Sequence, residues 1–220
     1  MRAAVGVFLR QPTAWLLLLG ALGSWTWRAS LGPVRWSDLA IVAGFAAVFP
    51  LLEWVIHTSL LHWRPRTIGG VTFDPLVARK HRAHHEEPRQ LDLIFIPLPA
   101  LAGAAVLVGA LGWAIPSARL GASFVATVVT AGLVYEWTHY LIHTDYRPRH
   151  APYRALWRHH RLHHYKNEHY WFTVTTAGTA DRLLRTQPAA NAVPTSPTAR
   201  DLLGTRLEPA AGEAAADPAS

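Results

Sequence analysis

The sequence predicts an all-α integral membrane protein with four transmembrane helices and a cytoplasmic helical cap that carries clustered histidines. Three observations point there. Half of the 220 residues are hydrophobic and only 16% are charged, a balance that suits a membrane protein better than a soluble one. Apolar runs of about 20 residues, the length that crosses a bilayer as a helix, occur four times. Thirteen histidines stand against two lysines and come in tight groups, all on one side of those runs.

The first run covers about residues 13–31. Arg2 and Arg10 precede it as in a signal peptide, but Trp25 and Trp27 stand where a cleavage site needs small residues, so it reads as a retained helix. The second run covers about 39–57, the third 93–115 and the fourth 120–140. Pro50 lies within the second, and Pro97 and Pro99 within the third. Kinks are expected at both places, with neighbours or bound lipid satisfying the freed backbone groups. With the N-terminus in the cytoplasm, eighteen of the twenty-one Lys and Arg residues lie inside, and only Arg28, Arg35 and Arg119 outside. Trp15, Trp36, Trp54, Trp63, Trp113 and Trp137 sit at span ends, as an interfacial belt does. Residues 1–186 therefore read as one membrane domain. Residues 187–220, rich in Ala, Pro, Thr and Glu, read as a disordered tail.

Composition excludes several chemistries. With no cysteine there is no disulfide, thiolate zinc site, iron–sulfur cluster or Cys-ligated haem, and the only methionine is Met1. A net charge of +7 is compatible with polyanion binding, but most of the nineteen arginines fall outside the apolar runs, between and around them, instead of forming one stripe. Membrane orientation accounts for them, and no nucleic-acid partner is expected.

The histidines form four groups: the pair His57 and His62 at the inner end of the second span, the triplet His81, His84 and His85 after it, the pair His139 and His143 at the inner end of the fourth span, and the triplet His160, His163 and His164 beyond. Residues three and four apart share a helix face, so each triplet and the His139–His143 pair can converge. His57 and His62 are five apart, about 140° around a regular helix, and converge only where the helix ends or bends; unwinding is expected near residues 58–61. Imidazole suits iron, copper, zinc or nickel, and ten imidazoles exceed what one ion can coordinate, so two metals are implied. Structural zinc is the weaker reading because such sites close with four ligands, although zinc can occupy the same cage in a purified sample.

Glu53 precedes His57 by four residues, and Glu136 precedes His139 by three, which places both carboxylates on ligand-bearing faces. They are expected to accept hydrogen bonds from the non-ligating nitrogens of ligand histidines. The alternative is pairing with Arg64 or Arg147 at the interface. Asp145 reads as a cap or a partner of Arg147, His150 as solvated, and His159 as surface or as support behind the ligands. Nothing in its spacing assigns His169.

Taken together, these boxes resemble the fatty acid hydroxylase superfamily, also called the sterol desaturase family, and within it the fatty acid 2-hydroxylases. The likeness runs from about residue 53 to 186. It rests on the four histidine groups, on His160-Arg-Leu-His163-His164-Tyr165-Lys166, on Trp171-Phe172-Thr173-Val174-Thr175-Thr176, and on an acidic residue at Asp181. Thr173 and Arg185 stand where that family usually carries glycine. The resemblance implies two iron ions held by His57, His62, His81, His84, His85, His139, His143, His160, His163 and His164. It also implies dioxygen as co-substrate and hydroxylation of a fatty acid or sphingolipid acyl chain. No cytochrome b5 domain precedes the spans, so electrons are expected from a separate ferredoxin or cytochrome b5-like protein with its reductase. Desaturation, or oxidation of a carotenoid or sterol, is the alternative within the superfamily; a metal transporter or haem carrier is the alternative outside it. Heavy Arg and Ala usage suggests a bacterial plasma membrane, with the cluster and both termini cytoplasmic.

Overall fold

The computed structural model describes residues 2–206. A short helix α1 (Arg2–Phe8) leads to α2 (Pro12–Ser30) and α3 (Trp36–Ile56), which continues into a π-helical turn, His57–Leu61. An exposed hairpin follows, β1 (Arg66–Ile68) pairing antiparallel with β2 (Val71–Phe73). Then come α4 (Leu76–Glu86), α5 (Leu91–Ile94), α6 (Leu98–Ala114), α7 (Ala118–His143), α8 (Ala151–Tyr165) and α9 (Thr179–Leu183). The chain is mostly helical, as predicted.

Three helical segments among the described residues are long and apolar enough to cross a membrane: Trp36–Leu61, Leu91–Ala114 and Ala118–His143. Their surfaces are apolar outward as well as inward, with Val48, Val106, Leu107 and Trp113 all exposed. Such a helix is stable only where the surroundings are themselves apolar. The first run forms a helix too, and α2 lies along α7 for most of its length. Trp25 Nε1 donates to Thr130 Oγ1 at 2.9 Å.

The third span is interrupted instead of kinked. Pro97 forces an extended backbone on the residue before it, so α5 stops at Ile94 and α6 starts at Leu98. The freed groups find partners. Ile96 N donates to Glu136 Oε1 at 2.8 Å, Ile96 O accepts from Thr13 Oγ1 at 3.1 Å, and Ile94 O takes His139 Nδ1 at 3.0 Å. Pro50 sits inside a continuous α3.

The segment 187–206 departs from the expectation of a disordered tail. It forms turns that lie against α4 and the loop after α8, with Ala199 and Leu202 buried. The rest of the expected tail, 207–220, lies outside the described residues.

Candidate metal centre

Ten histidines meet in the space between the C-terminal ends of α3 and α7 and the helices α4 and α8. They form two neighbouring groups of five, His57, His62, His81, His85 and His163 in one, and His84, His139, His143, His160 and His164 in the other. Within each group the candidate ligand nitrogens lie within 4.8 Å of one another. These are the ten residues that the sequence singles out, but the triplets do not each converge on one place. His84 and His85 are about 100° apart around α4, so they cannot face the same ion. His81 and His85, one turn apart, share a group, while His84 joins the other; on α8, His160 and His164 stay together while His163 crosses over. Each group is thus a span-end pair, an i,i+4 pair and one histidine from the opposite triplet.

The span-end pairs are built in two ways. His139 and His143 use ordinary helical spacing on α7. His57 and His62 use the wide turn, in which His62 N donates to His57 O at 3.0 Å, five residues back. The ring centroids come within 5.0 Å. The expected unwinding is therefore a π turn, a feature that concentrates at functional positions in helices.

The donor chemistry fits metal ions. Buried Nε2 atoms face each other at 3.1 Å between His57 and His81 and between His85 and His81, and at 3.2 Å between His163 and His85. The second group repeats this, at 3.2 Å for His84 with His143 and 3.1 Å for His164 with His160. Three of the five rings in the first group give their Nδ1–H to backbone carbonyls: His57 to Phe172 O (2.6 Å), His85 to Ala199 O (2.9 Å) and His163 to Tyr170 O (2.8 Å). A carbonyl only accepts, so Nδ1 carries the proton and Nε2 presents a lone pair. Desolvation pushes the imidazole pKa of His62, His81, His84, His85, His160 and His164 well below the ordinary value, and that of His163 to about 4 despite the bond to Tyr170 O. The rings are therefore neutral. In His85 and His163, whose protons both sit on Nδ1, the Nε2 lone pairs face each other at 3.2 Å and repel unless a cation lies between them. Two nitrogens at right angles around an ion, each about 2.1 Å from it, stand about 3.0 Å apart.

The supporting contacts differ from expectation. Neither glutamate accepts from a ligand histidine or an arginine among the described residues. Glu53 accepts from Thr175 N at 3.1 Å and from Thr175 Oγ1 at 2.8 Å, and Glu136 from Ile96 N. Their effect on the rings is indirect, because each anchors a backbone stretch whose carbonyl takes a ligand Nδ1. His159 supports the cluster from behind: buried, it contacts Asp181 Oδ2 at 3.0 Å. Asp181 also accepts from Phe172 N, Thr173 N, Thr173 Oγ1 and Thr186 Oγ1 at 2.6–3.0 Å. It thereby fixes the Tyr170–Thr173 segment, in which the left-handed backbone of Trp171 (φ 58°) separates the two histidine-binding carbonyls. Burial raises the Asp181 pKa, but hydrogen bonds from His159 and Thr173 outweigh it and hold the carboxyl below its usual range. Asp145 pairs with Arg89, not Arg147. His169 is largely exposed beside Glu168, and His150 is exposed at the start of α8.

An apolar cavity of about 300 Å³ lies between α3, α6 and α7, lined by Phe49, Leu60, Ala100, Ala104, Phe172 and Val174 and reaching Glu53, Tyr135 and His57. A smaller one, about 60 Å³, shares Leu61, Val77, Ile96 and Tyr135 with it and reaches His81, His84 and His139. Apolar space among the membrane-spanning helices thus adjoins both histidine groups.

No curated protein and no solved structure matches the chain. The fatty acid hydroxylase profile matches residues 42–186, from the first third of α3 through the loop that Asp181 organises. That is about two thirds of the 220 residues and takes in all ten clustered histidines. The chain therefore belongs to the fatty acid hydroxylase family, a family of membrane-embedded oxidoreductases of the hydroxylase and desaturase type.

Proposed function

We propose that the chain is an oxygen-dependent membrane monooxygenase that hydroxylates a lipid acyl chain, using two iron ions held by its ten clustered histidines. One observation carries the reading: two groups of five neutral imidazoles, nine of the ten buried, adjoin apolar cavities among the membrane-spanning helices. Iron bound there supplies the reactivity toward dioxygen and the C–H bond that no side chain has. The chain's own residues do the rest. Phe49, Leu60, Ala100, Ala104 and Val174 hold an extended hydrocarbon by apolar contact and keep water out. Tyr135 and Leu61, common to both cavities, set how far the chain reaches toward His84 and His139. Backbone carbonyls of Ile94, Tyr170, Phe172 and Ala199 keep four ligand rings oriented.

The reading includes four spans, a cytoplasmic cluster and a separate electron-donating protein. Support for the first span comes from its partner: Thr13 bonds near the inner end of α7's neighbour, at Ile96, and Arg28 bonds Ser123 near the outer end of α7. These contacts set α2 beside α7 from the level of Glu136 to that of Ser123, which supports counting it as a span. Support for the orientation comes from the eighteen inner Lys and Arg residues.

The test combines metal and lipid analysis. The purified chain should contain close to two iron ions, and cells expressing it with an active redox partner should accumulate hydroxylated acyl chains. New double bonds in place of hydroxyl groups would move the assignment to desaturation. Unchanged lipids together with metal-free protein would end it.

A further inference from the structure

The family profile stops at residue 186, yet the next twenty residues reach the metal centre. Ala199 O accepts the Nδ1–H of His85 at 2.9 Å. Arg200 Nε donates to His85 O at 2.7 Å and its guanidinium also bonds Glu86 O, so it covers the carbonyls left open at the C-terminal end of α4. Ser196 N donates to Lys166 O at 2.7 Å, and Asn167 Nδ2 donates to Pro194 O at 3.3 Å. Ser196 Oγ donates to Glu168 Oε1 at 2.9 Å, and Thr198 Oγ1 bonds the same oxygen. Glu168 lies two residues before Tyr170, whose carbonyl takes His163 Nδ1. His85 and His163 belong to the same group of five, and among the described residues no hydrogen bond joins this segment to a histidine of the other group.

We propose that residues 194–202 form a positioning strap, beyond the part of the chain that the family profile covers, that secures one of the two metal sites and leaves the other alone. The strap fixes His85 with its proton on Nδ1 and its Nε2 free to ligate, and it braces the loop that does the same for His163. This rests on the two-metal reading above. A partner on the non-ligating nitrogen of a histidine typically changes metal affinity by about 10–100-fold, so the ion held by His57, His62, His81, His85 and His163 is the one that depends on the strap.

The experiment loads the full chain anaerobically with ferrous iron in detergent and follows metal per chain and release to a chelator, with helicity recorded alongside. Chains ending at residue 206 and at residue 192 are compared with full-length Arg200→Ala and Arg200→Lys. Two ions with uniform slow release are expected for the full chain and for the chain ending at 206. The chain ending at 192 should release one ion about 10–100-fold faster and hold the second as before. Arg200→Ala should lie between, Arg200→Lys closer to the full chain, and a synthetic peptide of residues 192–206 should restore slow release. Should the shortest chain fold poorly, the two full-length arginine variants decide. Normal helicity with unchanged release of both ions overturns the strap, and so does equal acceleration of both, which marks a merely structural role. A full-length chain that takes up no iron overturns the two-metal reading itself, a result readily told apart from those.

Discussion

His84 and His85 are adjacent in sequence and about 100° apart on α4, and that one step divides the cluster into two groups of five. His85→Ala and His84→Ala should therefore each lower bound metal toward one ion per chain, but at different sites; elemental analysis beside the wild type checks this, and undiminished metal in either variant would defeat the assignment. Protonation acts on the same residues. In the folded chain burial keeps His81, His84, His85, His160, His163 and His164 neutral below pH 6.5, whereas the unfolded chain takes up protons there. The unfolded state thus gains stability as pH falls through about 6.5, by up to about 1.4 kcal/mol per pH unit for each such histidine. The metal-stripped chain should show a thermal midpoint that drops between pH 7.5 and 5.5, and metal should widen the gap at every pH, since it binds only neutral rings. A flat profile would contradict the burial of these rings. At this scale the ligands were legible in the sequence because imidazole spacing is direct evidence of shared helix faces. The partners of Glu53 and Glu136 were not, because both bond backbone N–H groups of distant loops, which no side-chain pattern announces.

Elements convert those residues into a site by breaking regular structure where it is needed. Pro97 opens the third span, and the opening releases Ile94 O for His139 and Ile96 N for Glu136. Pro97→Ala allows α5 and α6 to join, drawing the Ile94 carbonyl back into helix. The site containing His139 should then release metal about 10–100-fold faster while the His57 site holds; equal release from both would show that the break has no role. The loop from Tyr170 to Thr186 depends on Asp181 in the same way. Asp181→Ala strands His159 and several buried donors and should cost on the order of 3 kcal/mol, seen as a lower thermal midpoint. Because the carboxyl is held below its usual range, its contribution is present above about pH 4 and fades as pH drops further. Arg185, which the sequence likeness sets against a glycine, adopts φ 61°, the left-handed region that glycine occupies without strain. The four helical runs were visible from apolar length alone. The π turn was legible only as a need for His57 and His62 to converge, and the strap not at all, since its composition gives no periodicity and its hold on the fold comes from backbone carbonyls and one arginine.

Across the whole molecule, charge is sorted to the two ends. The end away from the histidines is tied by a buried cluster in which Arg28 contacts Asp38 at 2.7 Å and Ser123 at 2.9 Å, with Arg119 on the same carboxylate, joining α2, α3 and α7. Asp38 and His57 are nineteen residues apart on one helix, about 28 Å, so Asp38→Asn should lower the thermal midpoint without changing metal content. The opposite end carries the histidines and most of the arginines, and the proposed orientation, cytoplasmic for this end, rests on that bias through the positive-inside rule. The chain has no cysteine, so single cysteines report on topology without background. Val34 and Ile68 are exposed at opposite ends of α3, and Val5 lies before α2. In intact cells a membrane-impermeant maleimide should label Val34→Cys, while Ile68→Cys and Val5→Cys should react only after permeabilisation. Labelling of Val5→Cys from outside would mean that α2 lies against the other spans without crossing. Labelling of Ile68→Cys from outside would invert the protein and put the metal centre, together with its source of electrons, on the far side of the membrane.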